Sequence, residues 1–517
     1  MVSYTLSFVL LQLLPATIAA FGPSGDLLIG NRFISPDGFN RSAVLAGSSR
    51  SGLTFPGPVI VANRDDRFNL NVIDQLTDPT MLRTTSIHWH GLFQRGTQWA
   101  DGPAGVTQCP ITPGSSFLYQ FQPRNQAGTF WYHSHHQSQY CDGLRGALVL
   151  YDRRDPLRYM YDVDDESTII TLADWYHVPA PSAGAVPTPD STLINGKGRY
   201  AGGPPVALSV VNVVRDRRYR FRLISISCDP NFVFSIDGHQ LTVIEVDGES
   251  VQPHTVDNIQ IFVGQRYSVV LNANRPVGNY WIRAEPNIGT TGFAGGVNSA
   301  ILRYRGAPAT DPVSDRAPFN NRLNEANLRN LRPVPAPGIP RLGAADVNIN
   351  LDIAFDPNTV QFSVNNATML QPPVPILLQI LSGARTPQEL MPQGSVYVLP
   401  RNKVIEISIP GGSVGTPHPI HFHGHLFSVV RSAGSNVYNY ANPVRRDVVN
   451  IGESNDNVTI RFLTDNAGPW ILHCHIDWHL VLGLSVVFAE DVPTIAGLNP
   501  PQAWDDLCPK YEASGLD

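Results

Sequence analysis

The chain has 517 residues, more than a single hydrophobic core holds, so two to four domains are expected. Only 15% of it is charged and it carries 43 Gly and 44 Pro, a composition of short strands and turns rather than long charge-laced helices. A formal net charge of -6 argues against a basic nucleic-acid-binding surface and against attraction to anionic membranes.

The chain opens on LSFVLLQLLPATIAA at 6–20, an apolar run broken by Pro15 and ending in small residues. This pattern predicts a signal peptide over 1–20, cut near 19–21, and hence a secreted, extracellular protein. No later stretch is apolar enough to cross a bilayer, and the terminal KYEASGLD carries no anchor. Asn40, Asn366 and Asn457 open glycosylation sequons, in keeping with secretion. Five cysteines follow: Cys109, Cys141, Cys228, Cys474 and Cys508. In an oxidising compartment four can pair, in any of three connectivities. Cys474 is the natural odd one out, because it lies between His473 and His475.

Strand-like segments dominate: YRFRLISIS at 219–227, IQIFVGQRYSVVL at 259–271, KVIEISIP at 403–410 and NVTIRFL at 457–463. Each is bounded by Gly, Asp, Asn or Pro turn signals. The clearest helical candidate is short, at 321–332. The fold class is therefore all-β, built of sandwiches or Greek-key barrels.

An internal repeat sets the domain count. AGTFWYHSH at 127–135 resembles AGPWILHCH at 467–475, and GNYWIRAE at 278–285 resembles both more weakly. Upstream of each lies a second matching piece, HWHG at 88–91, SIDGH at 235–239 and HFHGH at 421–425. Gly91 to Gly128, Gly238 to Gly278 and Gly424 to Gly468 span 37, 40 and 44 residues. Three copies of one β domain are expected, at 21–152, 153–322 and 323–517. In the middle copy Ser235, Asp237, Arg283 and Glu285 stand where the outer copies carry histidine. It reads as a structural spacer that contributes to a substrate pocket.

The outer copies hold four His-x-His pairs: His88/His90, His133/His135, His421/His423 and His473/His475. In a strand, residues i and i+2 face the same side about 6.6 Å apart, so each pair presents two imidazoles together. Eight imidazoles converging between two domains suit a cluster of several metal ions. In HCHIDWH, at 473–479, Cys474 must face away from its flanking histidines. A thiolate on one side and two imidazoles on the other join two metal sites through a few covalent bonds. His418 and His479 stand nearby to complete a two-histidine, one-cysteine set, which suits copper in a trigonal site. Ser134 matches Cys474 and Thr85 matches His418, so the first domain cannot build that site.

At these residues the chain resembles fungal laccases, of the multicopper oxidase family. HWHG, HSH, HPIHFHGH and HCHIDWH stand in the family's order, and the likeness runs on through SPDGF, QCPIT, YCDGLRG, CDPN and VVFAED. The resemblance implies three cupredoxin-like domains and four copper ions. It implies a type 1 copper on His418, Cys474 and His479, and a type 2 copper on His88 and His421. A type 3 pair falls to His90, His133, His135, His423, His473 and His475. It also implies the disulfides Cys109–Cys508 and Cys141–Cys228, and a non-coordinating axial Leu484 that raises the potential relative to methionine.

The implied activity is one-electron oxidation of phenols, diphenols and aromatic amines, coupled to four-electron reduction of dioxygen to water. Cys474, His473 and His475 form the electron path between the sites. Asp229 resembles a residue that accepts the phenolic hydrogen bond and proton, and Asp101 and Asp477 resemble acids that supply protons near the cluster. Lignin turnover, pigment formation and detoxification all use this chemistry, and a monomer is the default. Val481 and Leu482 depart from the family pattern in a way expected to alter the substrate edge, and His136 and Gln137 depart beside the HSH motif. His136, His177, His239, His254 and His425 are expected in ordinary core or surface roles.

Rival readings differ in the reductant or in the chemistry. A ferroxidase needs carboxylates grouped near the type 1 histidine. Ascorbate oxidase fits the fungal-type motifs less well. A non-catalytic copper or electron carrier leaves eight cluster histidines without a purpose, and a zinc hydrolase leaves Cys474 without one.

Overall fold

The computed structural model describes residues 21–316 and 318–516, so the expected signal peptide lies outside the described residues. Three two-sheet β-sandwiches follow one another along the chain. In the first, strands Ser24–Ile34, Arg41–Gly47, Phe68–Gln75 and Ser116–Phe121 form one sheet. Ile60–Asn63, Ile87–His90, Gly128–Ser134 and Arg145–Tyr151 form the other. In all three copies an early strand runs parallel to the last one: Ile60–Asn63 with Arg145–Tyr151, Val210–Val213 with Ser299–Tyr304, and Val396–Leu399 with Ser485–Glu490.

The two sheets bury differently. Phe68–Gln75 (FNLNVIDQ) alternates cleanly between buried and half-buried, as expected of a sheet with one face on the core. Gly128–Ser134 and Gly468–Cys474 are buried at every residue. One of their faces packs on its own core and the other docks on a neighbouring domain. The histidines lie on that second face.

The sequence repeat is one structural ladder built three times. Ile87–His90 pairs antiparallel with Gly128–Ser134, Phe232–Ile236 with Asn279–Pro286, and Pro419–Phe422 with Gly468–Cys474. The register also repeats: His88 stands opposite His133, Ser235 opposite Arg283, and His421 opposite His473. Between each pair of repeat positions one residue turns inward, and Trp89, Ile236 and Phe422 are all buried in the cores. Trp89 packs edge-on to Tyr119, and Phe422 edge-on to Phe462 and Phe488. Burial of these large side chains holds the neighbouring histidines outward.

The helical expectation at 321–332 is not met. Only a short 3-10 turn forms there, Glu325–Asn327, capped by the Asn324 side chain. The flanking backbone bonds sideways to the middle domain instead, with Asn258 bridging Arg322 and Val251 bridging Asn330. The helices lie elsewhere and are short, the longest among the described residues being Leu507–Ser514. The implied disulfides are present: Cys109–Cys508 spans 399 residues, and Cys141–Cys228 links the first and middle domains. Among the described residues no helix is long and apolar enough to cross a membrane.

Candidate metal centre

The eight paired histidines meet between the first and third domains; seven are at most 1% exposed and His135 is half-buried. His88 stacks on His423 at 3.9 Å between ring centroids, and His90 on His421 at 3.8 Å. Burial and the neighbouring imidazoles hold His90, His133, His135, His421, His423 and His475 well below the usual imidazole range. The rings are therefore neutral, and each has one lone pair to offer.

Those lone pairs point at one another. His423 Nδ1 donates to Asp101 Oδ2 at 2.9 Å and His473 Nδ1 donates to the Cys474 carbonyl at 2.8 Å, yet their Nε2 atoms face each other at 3.2 Å. With both protons committed outward, no proton is left to lie between the facing nitrogens. His90 Nδ1 and His475 Nε2 face likewise at 3.1 Å. The Nε2 atoms of His88, His133, His135 and His421 are buried with no hydrogen-bond partner. Orphaned nitrogens of this kind are costly unless a cation occupies the space between them. Neutral imidazoles and a cysteine suit copper, so the donor set fits the implied metal.

Ligand atoms gather into distinct sets: His90 with His133 and His475, His135 with His423 and His473, and His88 with His90 and His421. The two triads each mix both domains, a partition that the sequence does not show. Two aspartates aim the rings. His88 Nδ1 donates to the Asp101 carbonyl at 2.8 Å, and His423 to its carboxylate. On the other flank, His421 Nδ1 donates to the Asp447 carbonyl at 2.9 Å and His90 Nε2 to its carboxylate at 3.3 Å. Each aspartate thus orients one histidine from each domain. Asp447 was missed in the sequence, where Arg445-Arg446-Asp447 reads as an ordinary charged run.

Cys474 turns to the opposite side of its strand, as the alternation requires. Its Sγ lies 3.5 Å from His418 Nδ1 and 3.6 Å from His479 Nδ1, and those two nitrogens are 3.2 Å apart. His418 Nε2 is 2.8 Å from Ser413 Oγ, leaving Nδ1 as the inward atom. Burial lowers His418 to about 4 and His479 to about 3, and pushes the thiol up. A thiolate there requires a cation beside it. Leu484 is buried, and its carbonyl accepts from the Cys474 amide at 3.1 Å. Its side chain has no donor atom.

The repeat supplies a control. Where the third domain has His418, Cys474 and His479, the first has Thr85, Ser134 and Gln139. The Thr85 and Ser134 hydroxyls both donate to Gln139 Oε1 at 2.7 Å. The same place is filled with hydrogen bonds and offers no ligand triangle. In the middle domain Ala284 stands at the cysteine position, and the histidine positions hold an ion pair. Arg283 donates to both Asp237 oxygens at 2.8 and 2.7 Å.

Asp229 is half-buried, and no hydrogen bond reaches its carboxylate among the described residues. Burial, then the charge of Asp174, raises it to about 7. Asp174 itself is held by Arg145 Nη1 at 2.9 Å, Tyr176 at 2.9 Å and the Cys228 amide at 2.8 Å. Asp101 and Asp477 are both raised by burial. Asp101 touches the histidines, whereas the Asp477 carboxylate lies 3.3 Å from the Cys141 sulfur and bonds to no cluster ring. Val481 lines a cavity of about 610 Å³ with His135, Gln137, Leu480 and Tyr511. None of His136, His177, His239, His254 or His425 joins a ligand set among the described residues. His239 bonds Tyr304 at 2.7 Å, and His136 lies 3.0 Å from the Thr84 hydroxyl.

Comparison with known proteins places this arrangement. Models of the multicopper oxidase family match residues 50–155, 166–307 and 369–494. The chain is 60% identical to laccase-2 of Pleurotus ostreatus over 510 residues, covering 97% of this chain and 95% of that one. It is 58% identical to the laccase of Phlebia radiata over 500 residues, covering 96% and 95%. Among solved structures, the Botrytis aclada laccase aligns with a TM-score of 0.81 at 31% identity, over 95% of this chain and 92% of that one. Fet3p, a multicopper oxidase that functions in iron import, aligns with a TM-score of 0.81 at 26% identity, over 96% and 95%. With three cupredoxin-like domains and histidine clusters where the first and third meet, the chain belongs to the multicopper oxidase family.

Proposed function

We propose that the protein is a secreted laccase that acts as a monomer and holds four copper ions. His418, Cys474 and His479 hold the type 1 ion, and His88 and His421 the type 2 ion. The type 3 pair is divided between His90, His133 and His475 on one side and His135, His423 and His473 on the other. Copper bound there supplies one-electron redox chemistry and the four-electron reduction of dioxygen to water.

The protein's own residues prepare both ends. Asp229, with its acceptor lone pairs unfilled, receives the hydrogen bond and then the proton of a phenolic hydroxyl. Cys474 places its sulfur with one ligand set while its strand neighbours place their imidazoles in the other two, so two sites share one covalent segment. Asp101, whose carboxylate accepts from His423 and whose carbonyl accepts from His88, serves as a proton carrier within the dry domain interface. The observation that carries this reading is the single segment His473-Cys474-His475, whose three side chains serve three ligand sets.

The test is oxygen uptake by the copper-loaded protein with a simple diphenol, with peroxide assayed in parallel. One dioxygen consumed per four electrons without peroxide supports the reading. Uptake driven by iron(II) but not by the phenol replaces the laccase assignment with a ferroxidase. No uptake with any reductant at full copper occupancy leaves a carrier.

A further inference from the structure

The middle domain carries no copper ligand, yet one of its turns reaches the cluster. Between strands Ile259–Ile261 and Arg266–Asn272, the chain passes through Gly264 at φ 81°. A Cβ at that glycine would lie 2.9 Å from His475 Cδ2 and 3.1 Å from His90 Cε1. Next in the turn, Gln265 donates to the Val448 carbonyl at 3.2 Å. Arg266 follows, fully buried, and its guanidinium grips all three domains at once. It donates to the Thr129 carbonyl at 3.1 Å in the first domain and the Gly264 carbonyl at 2.9 Å in its own. Two parallel bonds of 2.6 Å reach both oxygens of Asp447 in the third.

Asp447 is the residue that orients His90 and His421. A carboxylate accepting only one histidine bond would rotate, but the two-pronged arginine bond fixes its plane. The position of His90 Nε2, and with it the direction of the His90 lone pair, follows from that plane. Gly91, in HWHG, has φ 90°, and a Cβ there would come 2.7 Å from Arg266 Nη2 and 2.9 Å from Asp447 Oδ2. The glycine after the first histidine pair is thus the space through which Arg266 reaches Asp447. On the far side, Asp247 accepts from the Arg266 amide at 2.8 Å and from Arg446 Nε at 3.0 Å, so the pair is itself buttressed.

We propose that Arg266 is a positioning residue of the copper cluster. Through the Asp447 carboxylate it sets the geometry of His90, so the middle domain takes part in the metal site rather than only spacing the others. This inference rests on the copper assignment above, and the experiment separates the two.

The test compares Arg266→Lys, which keeps the charge but loses the fork, with Arg41→Lys. Arg41 is another buried arginine across the first and middle domains, paired with Asp142 and bonded to the Tyr176 and Val178 carbonyls. Copper release to a chelator and the electron paramagnetic resonance spectrum are read on each copper-loaded protein. Arg266→Lys is expected to release the ion of the His90, His133 and His475 set roughly 10- to 100-fold faster. The ion at Cys474 should keep its signal and its reduction by phenol. Arg41→Lys should lower the unfolding midpoint without moving release or spectrum. Gly264→Ala, which presses on His90 and His475 with no loss of charge, should reproduce the release defect and serves if Arg266→Lys does not fold. Wild-type release and spectra in a folded Arg266→Lys or Gly264→Ala protein would overturn the proposal and leave Arg266 a domain staple. Absence of the Cys474 signal in the parent protein would instead refute the copper assignment.

Discussion

Stripped of its metal, the protein should lose stability between about pH 7 and pH 5. Burial holds His473 and His479 at about 3 and His418 at about 4, against roughly 6.5 in an unfolded chain. The unfolded chain therefore binds more protons throughout that window. The stabilising contribution is complete above the unfolded value and is lost as pH falls toward the folded ones. Each such imidazole removes about 1.4 kcal/mol per pH unit, so these three remove about 4. The six other lowered cluster histidines, and His239 at about 4, act in the same direction. Asp101, Asp142, Glu249 and Asp477, raised by burial, oppose them, as do Asp229 at about 7 and Asp447 at about 6, because a raised carboxyl takes up its proton first in the folded chain. Asp229 and Asp447 alone offset at most about 3 kcal/mol per pH unit. Whole margins are roughly 5–15 kcal/mol, so a net loss of even about 1 kcal/mol per pH unit is a measurable share of the stripped protein's stability. Bound copper engages the same lone pairs, so the loaded protein should hold to lower pH. Denaturant melts of chelator-stripped and loaded protein at a series of pH values measure this. Stability of the stripped form that stayed level or rose on acidification would refute the reasoning.

Three further outcomes follow from particular residues. Cys474→Ser should abolish phenol oxidation and lower bound copper by about one equivalent, while the histidine-held ions remain, as metal analysis would show. Asp229→Asn should lower kcat/KM for phenols by about 100-fold and remove the activity rise through pH 7. Oxidation of a donor without an ionisable hydroxyl should be unchanged, and an equal loss for both donors would dismiss the proton-acceptor role. Gly102→Ala should prevent stable folding, because its Cβ would lie 1.9 Å from the Ile87 carbonyl oxygen at φ 105°. Expression yield and melting temperature would report it.

The eight histidines and Cys474 were legible in the sequence because alternation along a strand is a local rule. So was the threefold repeat, whose registers coincide in the structure. The partition of the imidazoles into triads was not legible, since it depends on how domains hundreds of residues apart dock. Asp447 and Arg266 belong to no motif, and their role appears only when three domains meet. Gln139 stands in the first domain at the place of His479, but glutamine after a serine carries no signal until its hydrogen bonds are seen. The helical candidate at 321–332 failed because its backbone donors find partners on the middle domain's edge, where a local pattern has no say.

The facing nitrogens of His90 and His475 are separated by 385 residues of chain. At roughly 5–20 residues per second, the first exists for about 20–80 s before the second is made. No triad can close in that interval, since each draws on both ends of the chain. Loading of the cluster is therefore a certificate of completed synthesis: a product lacking the third domain carries two members of one triad and one of the other, and retains no ion in either. A cell that exports only metal-filled molecules would, by that one criterion, also export only full-length ones.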